Sequence, residues 1–300
     1  MNPRIKSYIY LHIAVLLYGL TAILGDLISI SAVALVWWRV LITSVSLLFF
    51  VGLGRQILAM KARTVILFSG IGFLVGLHWI TFYGAIKMSN ASVVLAAMAS
   101  TSLFTSFIEP LVTRKKIKKL EVFLGLMIIP PMLIIANTID FDMKRGLWIA
   151  LLSAFLASLF ASLNKKYVEL ANSYQISFIE MSSAFILVSL ILPFSLESTA
   201  ELMPGVKDWI YLIILSLVCT SFAYVISMKA LKHVSAFDAN LVINLEPVYG
   251  ILLAIVILKE HKEMSLIFYS ALLLIMIIVF LHPYLEKRFY GRKDSNENNA

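Results

Sequence analysis

Apolar residues in this chain gather into long stretches that short polar connectors separate. A hydrocarbon core about 30 Å thick is crossed by roughly 20 helical residues at a rise of about 1.5 Å each. The stretches near that length are Tyr8–Ile28, Val33–Gly52, Thr64–Tyr83, Ala91–Thr113, Leu120–Asn137, Gly146–Leu163, Tyr174–Pro193, Asp208–Met228, Ala236–Leu258 and Met264–Pro283. The pattern therefore predicts an all-α membrane protein with ten transmembrane helices.

Composition supports a membrane protein and excludes an ordinary soluble domain. Hydrophobic residues make up 61% of the 300 positions and charged residues only 14%, whereas soluble domains carry roughly 25% charged residues. The net charge of +8 comes from basic residues in the connectors and not from a compact basic domain. We therefore expect the lipid bilayer as a partner and no nucleic acid.

The basic residues also predict an orientation. Taking the connectors alternately, one set with both termini holds 18 Lys and Arg residues and the other set holds 6, while Arg39 lies inside the second stretch. Cytoplasmic loops carry the excess of Lys and Arg. The bias predicts a multi-pass protein of the cytoplasmic (inner) membrane with both termini in the cytoplasm.

The two halves of the chain align with each other at an offset of 145 residues. Ala85, Lys87 and Ala91 then match Ala230, Lys232 and Ala236, and Trp79 matches Tyr224. Five helices in each half would make the second half enter the membrane from the opposite side, which is the inverted repeat of many secondary transporters. The predicted units are residues 8–137, residues 146–283 and a disordered cytoplasmic tail over 284–300. The alternative is that any apolar ten-helix chain aligns loosely with itself.

Ionisable groups inside a bilayer are costly, at about 2.5–3.5 kcal/mol at a helix centre, so each one is a candidate for function. Glu246 precedes Pro247 midway along the ninth stretch, where a proline disfavours regular helix. Asn240 and Asn244 place two amides on one face of the same helix. On a regular helix Glu246 would point away from that face, and only a local distortion at Pro247 would bring the three together as a candidate substrate or proton site. The alternative is a glutamate that hydrogen-bonds neighbouring helix ends and stabilises the fold.

The third stretch carries His78, Trp79 and Tyr83, and the first carries Tyr18. These side chains are candidate substrate contacts, because a histidine can titrate near neutral pH and aromatic rings line ligand cavities. The alternatives are a neutral histidine bonded within the bundle and aromatic anchors at the membrane surface.

Two further charged positions have different expected roles. Arg39 is predicted to be structural, with Asp26 near the end of the first stretch as its ion-pair partner, and recognition of a substrate carboxylate is the alternative. Glu180 in the seventh stretch is a second candidate for proton coupling beside Glu246.

The sequence lacks the motifs of several kinds of functional site. The sequence contains no phosphate-binding Gly-rich loop, no HExxH zinc pair and no GxSxG elbow. Cys219 is the single cysteine, so no cysteine–histidine ligand set exists. We therefore expect no metal, no cofactor and no enzymatic activity.

Several short motifs resemble one membrane family. They are Tyr18-Gly19, Arg39, Phe82-Tyr83-Gly84-Ala85-Ile86-Lys87 with Ala91-Ser92-Val93, Lys229-Ala230-Leu231, and the run from Asn240 to Tyr249 that contains Glu246-Pro247. The chain resembles the EamA-type proteins of the drug/metabolite transporter superfamily. The resemblance implies two inverted five-helix repeats around a central cavity, and export or exchange of small metabolites such as amino acids.

The sequence departs from the family pattern at two places. Thr101-Ser102 stand where the first half would carry a dipeptide that ends in proline, and Lys259 replaces the glycine of a Gly-Glu ending before Glu260. The first departure leaves open whether the fourth helix breaks as the ninth is expected to.

The combined prediction is a secondary transporter, an exporter or exchanger of small organic metabolites that works by alternating access. Its partners would be the bilayer, a small-molecule substrate and protons as a candidate coupling ion, and the protein would be a monomer or homodimer. The first alternative is a membrane-embedded enzyme that uses His78 and Glu246 as acid and base. The second is a receptor or scaffold with neither flux nor turnover.

Overall fold

The computed structural model describes residues 3–52, 54–114, 116–196, 198–234, 242–243 and 245–297. Regular structure in these residues is helical throughout. The α-helices are α1 (Pro3–Leu27), α2 (Ala32–Phe50), α3 (Arg55–Leu58), α4 (Ala62–Met88), α5 (Ala91–Met98), α6 (Thr101–Thr113), α7 (Lys119–Leu126), α8 (Ile129–Thr138), α9 (Met143–Tyr167), α10 (Ser173–Ile191), α11 (Val206–Ile213), α12 (Ala223–Leu231), α13 (Glu246–Leu253) and α14 (Leu266–Glu297). Wider π-helical turns, Ile214–Phe222 and Ala254–Leu258, follow α11 and α13.

Eight helical segments of the described residues are long and apolar enough to cross a membrane. They are Ile5–Leu27, Ala32–Phe50, Ala62–Met88, Ala91–Thr113, Lys119–Thr138, Met143–Leu170, Ser173–Phe194 and Val206–Leu231. Two shorter apolar helices, Glu246–Leu258 and Leu266–Ile278, fall within the ninth and tenth predicted stretches. The predicted class, an all-helical multi-pass membrane protein, is confirmed.

The end of the chain differs from the expectation of a disordered tail over residues 284–300. Helix α14 continues through that region as far as Glu297. Residues such as Lys287 and Arg288 have high helix propensity, so a helix already formed in the apolar part propagates into the polar part.

The fourth span is broken although it carries no proline at the break. Helix α5 ends at Met98 and α6 begins at Thr101, with a tight turn between them. At an offset of 145 residues, this turn corresponds to Leu245, immediately before α13 begins at Glu246. Pro247 lies in the first turn of α13, where the missing N–H costs no helical hydrogen bond.

A left-handed helix end also recurs at the same offset. Arg114 and Lys259 each end a helix in the left-handed conformation, with φ of 57° and 59°, and they are the positive-φ residues other than glycine in the described chain. This conformation explains the Gly-Glu ending expected at Lys259, since glycine adopts positive φ without steric cost.

Two lysines at the same offset bind equivalent carbonyl groups. The Nζ atom of Lys87 lies 3.4 Å from the Asp26 carbonyl oxygen. The Nζ atom of Lys232 lies 2.9 Å from the carbonyl oxygen of Ala171, which is 145 residues after Asp26. Each half thus joins the end of its third helix to the end of its first helix.

One end of the bundle is closed by carboxylates that bind backbone amides of the other half. Glu260 accepts hydrogen bonds from the Ala91 amide at 3.0 Å and the Ser92 amide at 2.8 Å. Asn90 accepts the next one, from the Val93 amide at 3.0 Å. The first three N–H groups of α5, which have no partner inside the helix, are therefore satisfied.

A second carboxylate acts at the same end. Asp208 accepts from the Ser29 amide at 2.8 Å and from the Ser29 hydroxyl at 2.6 Å. Lys87, at the end of α4, donates to the Ile28 carbonyl oxygen beside it. These contacts hold the α1–α2 connector against α4 and α11.

We expect Glu260→Ala to lower the stability of the protein more than Lys262→Ala, which removes an exposed side chain from the same turn. The first change leaves two buried amides unpaired, at about 1–3 kcal/mol for each. Thermal unfolding in detergent measures the difference. Equal melting temperatures for the two variants would show that the Glu260 contacts do not stabilise the fold.

We expect Lys259→Gly to raise the stability by roughly 1 kcal/mol, because it removes the steric cost of positive φ from a residue with a Cβ atom. Thermal unfolding again provides the measurement, with Lys262→Gly as the matched control. A lower melting temperature for Lys259→Gly would contradict the left-handed geometry.

Candidate functional site

The helices enclose a cavity of about 180 Å³ near the middle of the bundle. Residues from both halves line it, since it lies among α1, α2, α4, α5, α6, α9, α12 and α13. Its polar lining consists of Tyr18, Thr21, Arg39, His78, Trp79, Thr101, Ser102, Thr105, Asn164, Tyr224, Ser227 and Glu246. Apolar side chains such as Phe82, Met98 and Phe160 complete the wall.

Arg39 is the cation of this cavity, and protein groups bind its guanidinium from three directions. Its Nε donates to the Thr220 hydroxyl at 2.8 Å, and one terminal nitrogen donates to the Tyr83 hydroxyl at 2.7 Å. The guanidinium carbon lies 3.7 Å from the centre of a Trp79 ring. Hydrogen bonds to two of its N–H groups and an aromatic ring over its face lower the cost of burying the guanidinium.

The π-helical turn after α11 orients the acceptor for Arg39. The Thr220 hydroxyl donates to the Leu215 carbonyl oxygen, five residues earlier, at 2.7 Å. Because its proton is used there, a lone pair of the hydroxyl oxygen remains to accept from Arg39. Single π turns inside α-helices are frequent at functional sites.

The expected ion pair between Arg39 and Asp26 is wrong. Both hydrogen bonds of Arg39 in the described residues go to Thr220 and Tyr83. Asp26 is exposed at the end of α1, next to Lys87. Arg39 lies two turns inside α2, and its side chain points into the bundle and not toward the connector.

Glu246 places a carboxyl group in the same cavity as Arg39. It lies in the first turn of α13, and α13 crosses α1 where glycines face each other. A Cβ atom on Gly19 would lie 2.8 Å from the Gly250 nitrogen, so only glycine allows this approach. Asn240 and Asn244, the amides predicted to accompany Glu246, lie outside the described residues.

His78 lines the cavity, and the neighbouring helix binds one of its nitrogens. Nδ1 lies 2.8 Å from the Ser153 hydroxyl and 3.0 Å from the Ser153 carbonyl oxygen. The Ser153 hydroxyl donates to the His78 carbonyl oxygen at 3.0 Å. Both groups therefore accept from Nδ1, which places the proton of the neutral ring on Nδ1 and leaves Nε2 as an acceptor.

The four predicted aromatic and histidine contacts divide into two groups. Tyr18, His78 and Trp79 line the cavity. Tyr83 is fully buried behind Arg39 and acts on the cavity only by orienting the guanidinium.

Glu180, the second proton-coupling candidate, is fully buried outside the cavity wall. Its Oε2 atom accepts from the Asn164 amide at 3.2 Å and from the Tyr224 hydroxyl. Asn164 and Tyr224 both line the cavity, so they separate the carboxyl group from it.

Sequence reasoning did not assign a site role to Asn164, Thr220 or Tyr224. Asn164 falls one residue beyond the predicted end of the sixth stretch, whereas α9 continues to Tyr167. The sequence did contain an indication for Tyr224, because it matches Trp79 in the internal alignment. Nothing in the sequence indicated the role of Thr220, since that role depends on the π-helical turn.

The cavity extends from the middle of the bundle toward one end. Helix α9 contributes residues from Ala157 to Asn164, and α12 contributes residues through Leu231, its last. The Glu260 and Asp208 contacts close the opposite end. Across the described residues, no group of three or more His, Cys, Asp or Glu side chains could hold a metal ion.

The second half of the chain matches a known protein family. Residues 144–282 match the sequence model of the EamA-like transporter family, from the start of α9 into α14. A search of curated proteins found no match.

A solved structure described as "Crystal structure of protein" has a similar fold, with a TM-score of 0.68 at 15% sequence identity. The similarity covers 96% of this chain and 99% of the other, so the common fold extends over both halves. The family match confirms, for residues 144–282, the resemblance to EamA-type proteins of the drug/metabolite transporter superfamily that the sequence shows.

Proposed function

We propose that the protein is a secondary transporter of small organic metabolites such as amino acids, which works by alternating access. The observation that supports this most directly is the central cavity, which contains the Arg39 guanidinium and the Glu246 carboxyl group. The family match supports transport in preference to enzymatic catalysis at His78 and Glu246. Export or exchange across the cytoplasmic (inner) membrane is the direction that the resemblance favours.

The proposed substrate carries both charges. In the described residues, Arg39 uses two of its five N–H groups for protein acceptors, so others can donate to a substrate carboxylate. Glu246 offers a carboxyl group to an ammonium group in the same cavity. A cavity of about 180 Å³ favours a molecule of amino-acid size.

Alternating access would use ten crossings arranged as two inverted repeats of five helices. The features that recur at an offset of 145 residues support this arrangement: the turn before α6 and the start of α13, the two left-handed helix ends, and the two lysine–carbonyl bonds. Two similar halves of opposite orientation can exchange two packings, one open to each side.

The basic residues support a cytoplasmic location for both termini, which would place the ends of α9 and α12 on the cytoplasmic side. The cavity extends toward those ends, so the structure would correspond to an inward-facing state. A single chain encloses the cavity, which supports one protomer as the transport unit in either a monomer or a homodimer.

We expect the purified protein in sealed liposomes to catalyse counterflow of a labelled mixture of L-amino acids loaded on the opposite side. Counterflow requires a carrier with a site that is reachable from both sides in turn. Turnover of the mixture in detergent, without counterflow in liposomes, would instead support an enzyme. The absence of both flux and turnover would support a receptor or scaffold.

We expect Glu246→Gln to reduce counterflow at least tenfold while leaving the melting temperature nearly unchanged, because the amide keeps the size of the side chain but loses the charge. Glu109→Gln, on α6 outside the cavity, is the matched control. Competition by leucine, 3-methylbutylamine and 4-methylpentanoate tests the charge pairing. Stronger competition by either singly charged analogue than by leucine would contradict recognition of both charges.

A further inference from the structure

Glu180 is a buried carboxyl group with an incomplete set of hydrogen bonds. The side chain is fully buried in α10. Its Oε2 atom receives the Asn164 and Tyr224 hydrogen bonds, whereas Oε1 has no partner in the described residues. The Asn164 Oδ1 atom, on the opposite side of the same amide, also has none. Buried polar atoms without partners are uncommon in proteins, and each one calls for an explanation.

The groups that face Glu180 are neutral. Helix α12 presents the Tyr224 hydroxyl, α9 presents the Asn164 amide, and α4 presents the backbone at Gly72, where a Cβ atom would collide with the Glu180 backbone.

The charged and titratable side chains of the surrounding helices bind elsewhere. Arg39 of α2 donates to Thr220 and Tyr83, His78 of α4 bonds to Ser153, and Lys229 of α12 donates to Tyr174. An ionised carboxylate at Glu180 would therefore lack a cation, and such burial is strongly unfavourable. The site accepts the carboxyl group in its neutral, protonated form.

Tyr224 gives this buried group a route to water. Its hydroxyl donates to Glu180 Oε2, and Tyr224 also lines the cavity. A cavity water that carries an excess proton can give it to the Tyr224 oxygen while Tyr224 passes its own proton to the Glu180 carboxylate. The products are a neutral carboxyl group, an unchanged tyrosine and a neutral water. Unloading reverses these steps.

We propose that Glu180 is a proton-binding site of the transport cycle, loaded and unloaded from the cavity through Tyr224. The proposal rests on the proposed transport function, and it assigns to Glu180 a role separate from substrate contact. Glu246 and Arg39 lie in the cavity where a substrate binds, whereas Glu180 lies behind the wall. A substrate and a proton can therefore occupy their sites at the same time or in exchange.

Liposome transport tests the coupling. In the wild-type protein, an imposed pH gradient should drive net movement of the labelled L-amino-acid mixture, and a trapped pH dye should report proton movement with it. Glu180→Gln keeps an oxygen that accepts from Tyr224 and Asn164 but cannot exchange a proton. We expect this variant to retain counterflow within about twofold and to lose gradient-driven accumulation at least tenfold. Glu169→Gln, an exposed change after α9, should behave as wild type.

Infrared difference spectroscopy tests the protonated carboxyl group without any substrate. At pH 7 the wild-type protein should show the C=O band of a buried, protonated carboxyl group. The band should be missing in Glu180→Gln and present in Glu169→Gln. Tyr224→Phe should keep the band but slow its response to a pH jump at least tenfold, because the relay hydroxyl is gone.

Distinct results overturn the two proposals. Absence of counterflow in the wild-type protein would contradict the proposed transport of amino acids and leave the infrared result as the test of Glu180. Full gradient-driven accumulation by Glu180→Gln, or a wild-type spectrum without a band that depends on Glu180, would overturn the proton-binding site. If Glu180→Gln lost both counterflow and its melting transition, that variant could not be used. The test would then rest on the C=O band of the wild-type protein and on the pH-jump response of Tyr224→Phe.

Discussion

A guanidinium group inside a membrane bundle must find partners within the protein, and the architecture around the cavity meets this requirement for Arg39. Helix α2 supplies the charge, α4 supplies the Trp79 ring and the Tyr83 hydroxyl, and the π-helical turn after α11 supplies Thr220. These elements come from both halves of the chain. The contacts of one cation therefore join the two halves, and they place positive charge at the wall of the cavity.

Helix ends give the cavity the Glu246 carboxyl group and part of its polar wall. Where backbone hydrogen bonding is interrupted at membrane depth, free carbonyl and amide groups are tolerated only beside protein or a cavity. The break between α5 and α6 and the start of α13 both border the cavity, which is lined by Ala99, Thr101 and Glu246. At the closed end, Glu260 satisfies the amides that the start of α5 would leave unpaired.

An aromatic residue at a matched position contacts a different kind of group in each half. Trp79 and Tyr224 are 145 residues apart, and both line the cavity. Trp79 lies against the cation Arg39 of α2, whereas Tyr224 donates to the carboxyl group of Glu180 in α10. An aromatic residue at the same position thus supports a guanidinium in one half and a carboxyl group in the other.

The sequence by itself determined the membrane class, the limits of most helices and the family resemblance, because these depend on apolar length and on short motifs along the chain. It also identified Tyr18, His78, Trp79 and Glu246, since polar and aromatic residues in an apolar span stand out. Only the tertiary structure decided that Arg39 binds Thr220 and Tyr83 and not Asp26, and that Asn164 and Tyr224 connect Glu180 to the cavity. These contacts join residues far apart in the chain, and they depend on how helices cross and on one wide π turn, which spacing along a single helix does not encode.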